Sequence, residues 1–286
     1  MGDSFEDFVF YGLKGLPARG AELKSPLMVR SPGGGALITA VAAARLGTRC
    51  AVVSALSPDS ERLLRGERVA VRNLRTRGEP SAVTVALSTR ADRRFVTFDG
   101  INESLPSRIR RVLPRIRARH VHFAFVPRPC KSWIAVVARL GRRGITTSWD
   151  FGWDDRLAAD PGLWPLATSV DLLFVNRDET LMYSRRRTLP DAVARWRTAP
   201  NHIVIKMGRN GARVVGGSID VHMPSKDAGR VVDTTGAGDA FNGGFLAALL
   251  RGRSIRQALV AGNHLGALSL RQPGGIAGLP RASGRA

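Results

Sequence analysis

The chain has 286 residues, 44% of them hydrophobic and 23% charged, enough for one large domain or two small ones with a sizeable core. The longest apolar run lies within residues 36–44, far short of the roughly 20 residues of a membrane-spanning helix, and the acidic start Met1-Gly2-Asp3-Ser4-Phe5-Glu6-Asp7 has no signal-peptide character. Two cysteines, Cys50 and Cys130, cannot form a disulfide framework, so a cytoplasmic protein without a membrane partner is expected. The net charge of +21 would attract phosphates. Its arginines, however, run from Arg108–Arg119 to Arg142-Arg143 and Arg185–Arg187 without interleaved aromatics, which fits solvated faces better than a nucleic-acid surface.

Along the chain, Ala82–Leu87 and Arg94–Phe98 flank Ala91-Asp92-Arg93 and predict an antiparallel hairpin, a small β appendage. From there the pattern becomes short apolar runs, each followed by turn residues and a helical period: Arg119–Val126, Thr146–Trp149, Val170–Val175 and Asn201–Lys206. Repeated βα winding of this kind predicts an α/β protein with a largely parallel sheet. No linker or repeat divides the chain, so residues 1–286 are expected to form one domain with an accessory sheet. Residues 281–286 read as a frayed tail.

The richest segment runs from Val231 through Asp233-Thr234-Thr235-Gly236-Ala237-Gly238-Asp239 into a small-residue helix that ends near Arg251-Gly252. Small residues at Gly236, Ala237 and Gly238 let the backbone approach a ligand, and the uncapped N–H groups of the helix's first turn form an anion hole. Asp239 sits in that turn, placed to take a proton from a hydroxyl as it attacks a bound phosphate. Rival glycine motifs fail. No Walker string occurs, Phe241 stands where a dinucleotide fingerprint needs its third glycine, and Asp150-Phe151-Gly152 and Val204-Ile205-Lys206 come in the wrong order for a protein kinase.

Asp233–Phe245 resembles, position by position, the C-terminal signature of the ribokinase (PfkB) family of carbohydrate and nucleoside kinases. The resemblance implies a ribokinase-like three-layer α/β sandwich with a mainly parallel central sheet and a small β lid, its strands drawn from about residues 8–30 and 81–99. It implies ATP as phosphoryl donor, Mg²⁺ as cofactor and a sugar or sugar-like molecule as acceptor. Asp239 would be the catalytic base and Gly236, Ala237 and Gly238 the anion hole, with Thr234 beside the nucleotide. Asn176-Arg177-Asp178-Glu179 is similar to the family's Asn-x-x-Glu motif, so Asn176 and Glu179 would organise Mg²⁺, usually through water; the ordinary alternative is a helix N-terminus capped by Asn176. Lys206-Met207-Gly208-Arg209-Asn210-Gly211 resembles the turn beside the nucleotide, making Lys206, Gly208 and Gly211 candidates, and Asn263 matches a position lining the adenine pocket. His264 reads as structural.

At the acceptor end, Gly2–Asp7 resembles the segment whose last Asp hydrogen-bonds sugar hydroxyls, which nominates Asp7. Ser31-Pro32-Gly33-Gly34-Gly35 and the helix to Gly47 resemble the second signature, with Gly33 and Gly34 as hinge and substrate neighbours. Asn102, after the hairpin, resembles a further substrate contact. The family's Asn near the start of that helix is Ile38 here, which removes a polar contact. The family also carries a strand before Gly2-Asp3, so either a first strand is absent or the start lies upstream; the stretch from Ala51 to Ser60 reads as shortened. A nucleoside kinase is the nearest alternative, discriminated by a lid stacking pair for which Phe95 and Phe98 are the candidates. A catalytically degenerate ligand sensor is the other. The resemblance allows a monovalent cation near Asp233 and Pro273-Gly274-Gly275, and a homodimer through the lid.

Overall fold

The computed structural model describes residues 1–89, 93–225 and 227–281; Ala91 and Asp92 of the expected hairpin turn, and residues 282–286 of the expected tail, lie outside them. The strands are β1 (Phe5–Leu13), β2 (Leu27–Gly33), β3 (Ala51–Ser54), β4 (Ala70–Asn73), β5 (Val83–Thr89), β6 (Arg93–Phe98), β7 (His120–Ala124), β8 (Thr146–Asp150), β9 (Leu172–Asn176), β10 (His202–Lys206), β11 (Ala212–Gly216) and β12 (Ile219–Met223). The helices are α1 (Gly35–Arg45), α2 (Pro58–Gly66), α3 (Leu105–Val112), α4 (Lys131–Arg142), α5 (Leu163–Ala167), α6 (Arg177–Ser184), α7 (Leu189–Arg197), α8 (Ala237–Leu249) and α9 (Ile255–Ser269).

The central sheet has the order β12-β11-β10-β9-β8-β7, parallel from β7 to β10 and antiparallel from there to β12. Its strands are apolar on both faces because helices cover both. Leu173, Val175, Ile203 and Ile205 face a core with Trp133, Trp149 and Trp196, while Leu172, Phe174 and Val204 face Phe241, Phe245 and Leu259 of α8 and α9. This is the expected three-layer α/β sandwich. β3 and β4 form a separate parallel pair, with α1 packed over them.

The lid is a four-stranded sheet of order β2-β1-β5-β6. Its hairpin, β5 with β6, is antiparallel as expected, while β1 and β5 run parallel. One cross-strand row joins Ser31, Asp7, Thr84 and Thr97, since Asp7 pairs with Ser31 and Thr84, and Thr84 with Thr97. Side chains in one row share one face. Phe95, two residues from Thr97, shares that face, whereas Phe98 stands on the other, so the two cannot stack around one ligand.

The segment ahead of β1 behaves as a strand stub. Gly2 bridges Ala124 in parallel, Ala124 N donates to Met1 O at 2.9 Å, and Asp3 N donates to Ala124 O at 3.0 Å. On the other side Gly2 N donates to Val53 O at 3.3 Å. Residues 1–3 thus occupy one end of the position between β7 and β3 where the resemblance expects a first strand.

Candidate active site

The C-terminal ends of the parallel strands converge on the N-terminus of α8. Gly236 caps that helix with φ 72°, a left-handed conformation that favours glycine, and a Cβ there would lie 2.6 Å from Ile38 Cδ1 and 2.8 Å from Gly275 Cα. Ile38 is therefore packed beneath the signature loop, 2% exposed, and serves as a floor for it. Asp233 braces the same loop: Oδ1 accepts from Thr235 N at 3.0 Å and Thr235 Oγ1 at 2.8 Å, and Oδ2 accepts from Gly274 N at 2.9 Å. Ala237 and Gly238 open the helix, and Thr234 stands exposed at the rim.

Asp239 lies in the first turn of α8, and Thr39 Oγ1 of α1 donates to its backbone oxygen at 3.1 Å. A Cβ on Gly35 would come within 3.0 Å of Asp239 Oδ1, so the start of α1 abuts the carboxylate. Burial, and then the negative charge of Asp150, push the Asp239 carboxyl up to about 7. Asp7 approaches from the lid. Burial and the charge of Asp233 push it likewise to about 7, and a Cβ on Gly33 would overlap its Oδ2 at 1.9 Å. A Cβ on Gly34, which has φ 98°, would lie 2.4 Å from Asp3 O. The expected hinge pair thus permits close approach: Gly33 makes room for the Asp7 carboxylate and Gly34 starts α1.

Lys206, at the end of β10, donates to Asp150 Oδ2 at 2.6 Å and to Asn242 Oδ1 at 3.4 Å, and Asn242 Nδ2 donates to the same Asp150 oxygen at 2.7 Å. Its ammonium lies 3.1 Å from where a Gly238 Cβ would be, directly under the anion loop. Burial would depress Lys206, but the charges of Asp150, Glu179 and Asp239 hold it above its ordinary value. Burial likewise opposes ionised Asp150, and Lys206 holds it below the usual carboxylate range. Asp150 and Asn242 were not nominated from the sequence. The signals were there: Asp150 ends a strand in register with Phe174, and Asn242 is, beyond Asp239, the one polar side chain in an otherwise apolar helix.

Asn176 caps α6, its Oδ1 accepting from Asp178 N and Glu179 N at 2.9 Å, while Glu179 Oε2 accepts from Asn176 N at 2.8 Å. This is a reciprocal capping box. Glu179 is 5% exposed and pushed up to about 7 by burial and then by Asp150. Gly208 is open, whereas a Cβ on Gly211 would strike Met223 O at 2.1 Å. Asn263 donates to Met223 O at 3.0 Å and to Pro224 O at 3.1 Å, so its amide holds the end of β12 beside the Gly208–Gly211 turn. Asn102 is 7% exposed and donates to Ser4 O at 3.2 Å, bracing the approach to β1. The structure therefore brings together Asp7, Glu179, Lys206, Asp239 and the Gly236–Gly238 loop. It assigns Asn102, Asn263 and Gly211 to support around them.

Among the described residues no group of three or more His, Cys, Asp or Glu could hold a metal ion by itself. No helix among them is long and apolar enough to cross a membrane.

The polar row of the lid, with Asp7, thus meets a glycine loop that carries a carboxylate, Asp239, in the first turn of its helix. Residues 9–282 match the model of the pfkB family of carbohydrate kinases, and the chain belongs to that family. The 2-dehydro-3-deoxygluconokinase of Bacillus subtilis is 32% identical over 133 residues, 42% of this chain and 41% of that protein, so the chain matches less than half the length of this relative. Among solved structures, adenosine kinase from Sinorhizobium meliloti superposes with TM-score 0.82 at 23% identity, covering 98% of this chain and 95% of that one. A ribokinase II from E. coli, described as putative and in complex with ATP and Mg²⁺, superposes at TM-score 0.78 and 22% identity, covering 98% and 94%.

Proposed function

We propose that the protein transfers the terminal phosphoryl group of ATP to a hydroxyl of a sugar or sugar-like small molecule. The observation that carries this reading is Asp239, set against the Gly236–Gly238 backbone and facing the Asp7 row of the lid. The backbone N–H groups at the start of α8 bind and orient the phosphoryl oxygens, with the helix dipole and the Lys206 ammonium beneath them adding positive potential. Ser31, Asp7, Thr84 and Thr97 orient the acceptor through its hydroxyls. Asp239 accepts the proton of the reacting hydroxyl as that oxygen attacks. The lid excludes water, which would otherwise take the phosphoryl group.

The residues fit a magnesium ion that keeps its own waters: a buried carboxylate at Glu179 and an amide at Asn176, with no protein cage. Asn176 and Glu179 would hold it through those waters, and its chemistry would be to offset charge on the bound phosphates. A sugar-like acceptor is favoured over a nucleoside by the polar row and by the opposite faces of Phe95 and Phe98. Paired lids in a homodimer form part of this reading.

The test is ADP release from ATP and Mg²⁺ across a panel of sugars, sugar acids, sugar phosphates and nucleosides, with Asp239→Asn alongside. The substitution keeps the anion loop, so nucleotide binding should persist while acceptor-dependent turnover falls at least about a hundredfold. Unchanged turnover would remove Asp239 as the base. Nucleotide binding with no turnover on any acceptor would favour a ligand sensor.

A further inference from the structure

The reaction proposed above gives work to Asp239 and Lys206 but none to Asn242, although the Asn242 amide is wholly buried within α8. A buried amide costs free energy unless both its ends are hydrogen-bonded, and an aliphatic side chain of similar size would fill the position without that cost. Both ends are used. Asn242 Nδ2 donates to Asp150 Oδ2 at 2.7 Å, and Asn242 Oδ1 accepts from Lys206 Nζ at 3.4 Å. The partners fix which way the amide faces, because a carboxylate only accepts and an ammonium only donates. Lys206 Nζ donates to the same Asp150 oxygen at 2.6 Å, so the three side chains close a ring. Asn242 follows Asp239 by three residues, on the same side of α8, and the ammonium lies 3.1 Å from where a Gly238 Cβ would be. The ring therefore lies against the start of that helix.

We propose that Asn242 is a positioning residue for the phosphoryl donor: it braces Asp150 and keeps the Lys206 ammonium aimed at the start of α8, where that ammonium meets the terminal phosphoryl group of ATP. The inference rests on the kinase reading above and adds to it the residue that sets the lysine. Of the three N–H groups of the ammonium, one is fixed on Asp150, one makes the long bond to Asn242, and the third has no acceptor among the described residues. Two N–H groups are thus available to phosphoryl oxygens while the ion pair stays intact, and a buried ion pair is costly to break. Asn242 holds Asp150 Oδ2 from the side of α8, while Gly152 N donates to Oδ1 at 3.2 Å. With both oxygens held, the carboxylate does not turn to take the ammonium between them and draw it toward β8, away from the loop. A charged donor on a phosphoryl oxygen binds about twice as strongly as a neutral one, so its aim matters.

Equilibrium binding without any acceptor tests it, with Mg²⁺ and two probes: adenylyl imidodiphosphate, an ATP analogue that resists transfer, and ADP, which lacks the terminal phosphoryl group. Asn242→Leu removes both ends of the amide at similar size. It should weaken binding of the ATP analogue about tenfold and of ADP by less than about twofold. Asn242→Asp sets a second carboxylate on the ammonium and should weaken the analogue further. Thermal unfolding of each variant shows that it is folded, and Asn242→Ser, which is too short to reach both partners, carries the same expectation as Asn242→Leu should the leucine chain fail to fold. Equal losses for the two probes would mean that Asn242 only supports the loop, and unchanged affinity in the folded variants would mean that it does not set the lysine; either result overturns the proposal. A parent chain that binds neither probe would instead bring down the kinase reading itself.

Discussion

At Asp239 two demands conflict: a base must be ionised, yet burial and the neighbouring Asp150 hold its carboxyl near 7. The sign follows. Below about 7 Asp239 is protonated and cannot accept the substrate proton, so kcat should fall about tenfold per pH unit on the acid side. A profile flat from pH 5 to 8 would contradict the assignment. Asp150→Asn removes one of the charges raising Asp239, so the acid limb should move to lower pH. The same change strands the Lys206 ammonium in a buried site, at a cost on the order of 3 kcal/mol of stability. Adding Lys206→Met should recover much of that stability without recovering activity. Denaturant unfolding and a pH–rate profile on the same proteins separate the two effects, and an unmoved limb in Asp150→Asn would remove its influence on the base.

At the scale of elements, the capping box of α6 poses a choice between two roles for the same residues. Asn176→Ala should cost about 1 kcal/mol through the lost cap, whereas Asn176→Asp keeps a capping oxygen and should fold as the parent does. If Asn176 also orients a hydrated magnesium ion, both variants should raise the Mg²⁺ concentration needed for half-maximal activity. A normal requirement in Asn176→Asp would leave only the cap. β2 and α1 meet in a comparable test. Gly33→Ala places a methyl group on the Asp7 carboxylate, so KM for the acceptor should rise at least about tenfold while KM for ATP stays put; equal rises would mean that the whole loop had moved.

What could be read from the sequence follows the range of the interactions. β7 to β10 were legible because each is a short apolar run flanked by turns, and α8 because its signature is contiguous. The Ser31–Asp7–Thr84–Thr97 row was not, because its register joins residues 24, 77 and 13 positions apart and is set by packing that no local pattern carries. Asp150 and Lys206 show the same limit. Lys206 is a candidate through its glycine turn, whereas Asp150 stands only in a motif that fits no protein kinase, and only the topology, which ends β8 and β10 on the same side, makes them partners.

For the whole molecule, the charge and the lid set the surface. The excess of arginine includes Arg111, Arg115, Arg117 and Arg119, all exposed, while others serve the fold: Arg108 is paired with Glu79 and Arg110 lies over the Trp133 ring. The lid is different. Its face opposite the Asp7 row carries Phe8, Phe10, Met28, Val83, Val85, Leu87, Val96 and Phe98 beside the charged Glu6, Arg30 and Arg94, and of the apolar ones Met28, Val96 and Phe98 are 51%, 70% and 58% exposed. On the reading proposed above, a second copy of the chain would cover the apolar part of that face, a two-fold axis setting the same patch against the same patch. Burying that face would also fix the lid's position over the acceptor. Val96→Glu places a charge at the most exposed of these positions, on a strand edge, where it meets its own copy or a neighbouring apolar side chain. Sedimentation velocity should show a dimer for the parent and a monomer for the variant. The monomer should keep nucleotide affinity, since the Gly236–Gly238 loop lies outside the lid, and lose affinity for the acceptor. A parent that sediments as a monomer at micromolar concentration would show that the lid works alone, and the apolar face would then need another cover.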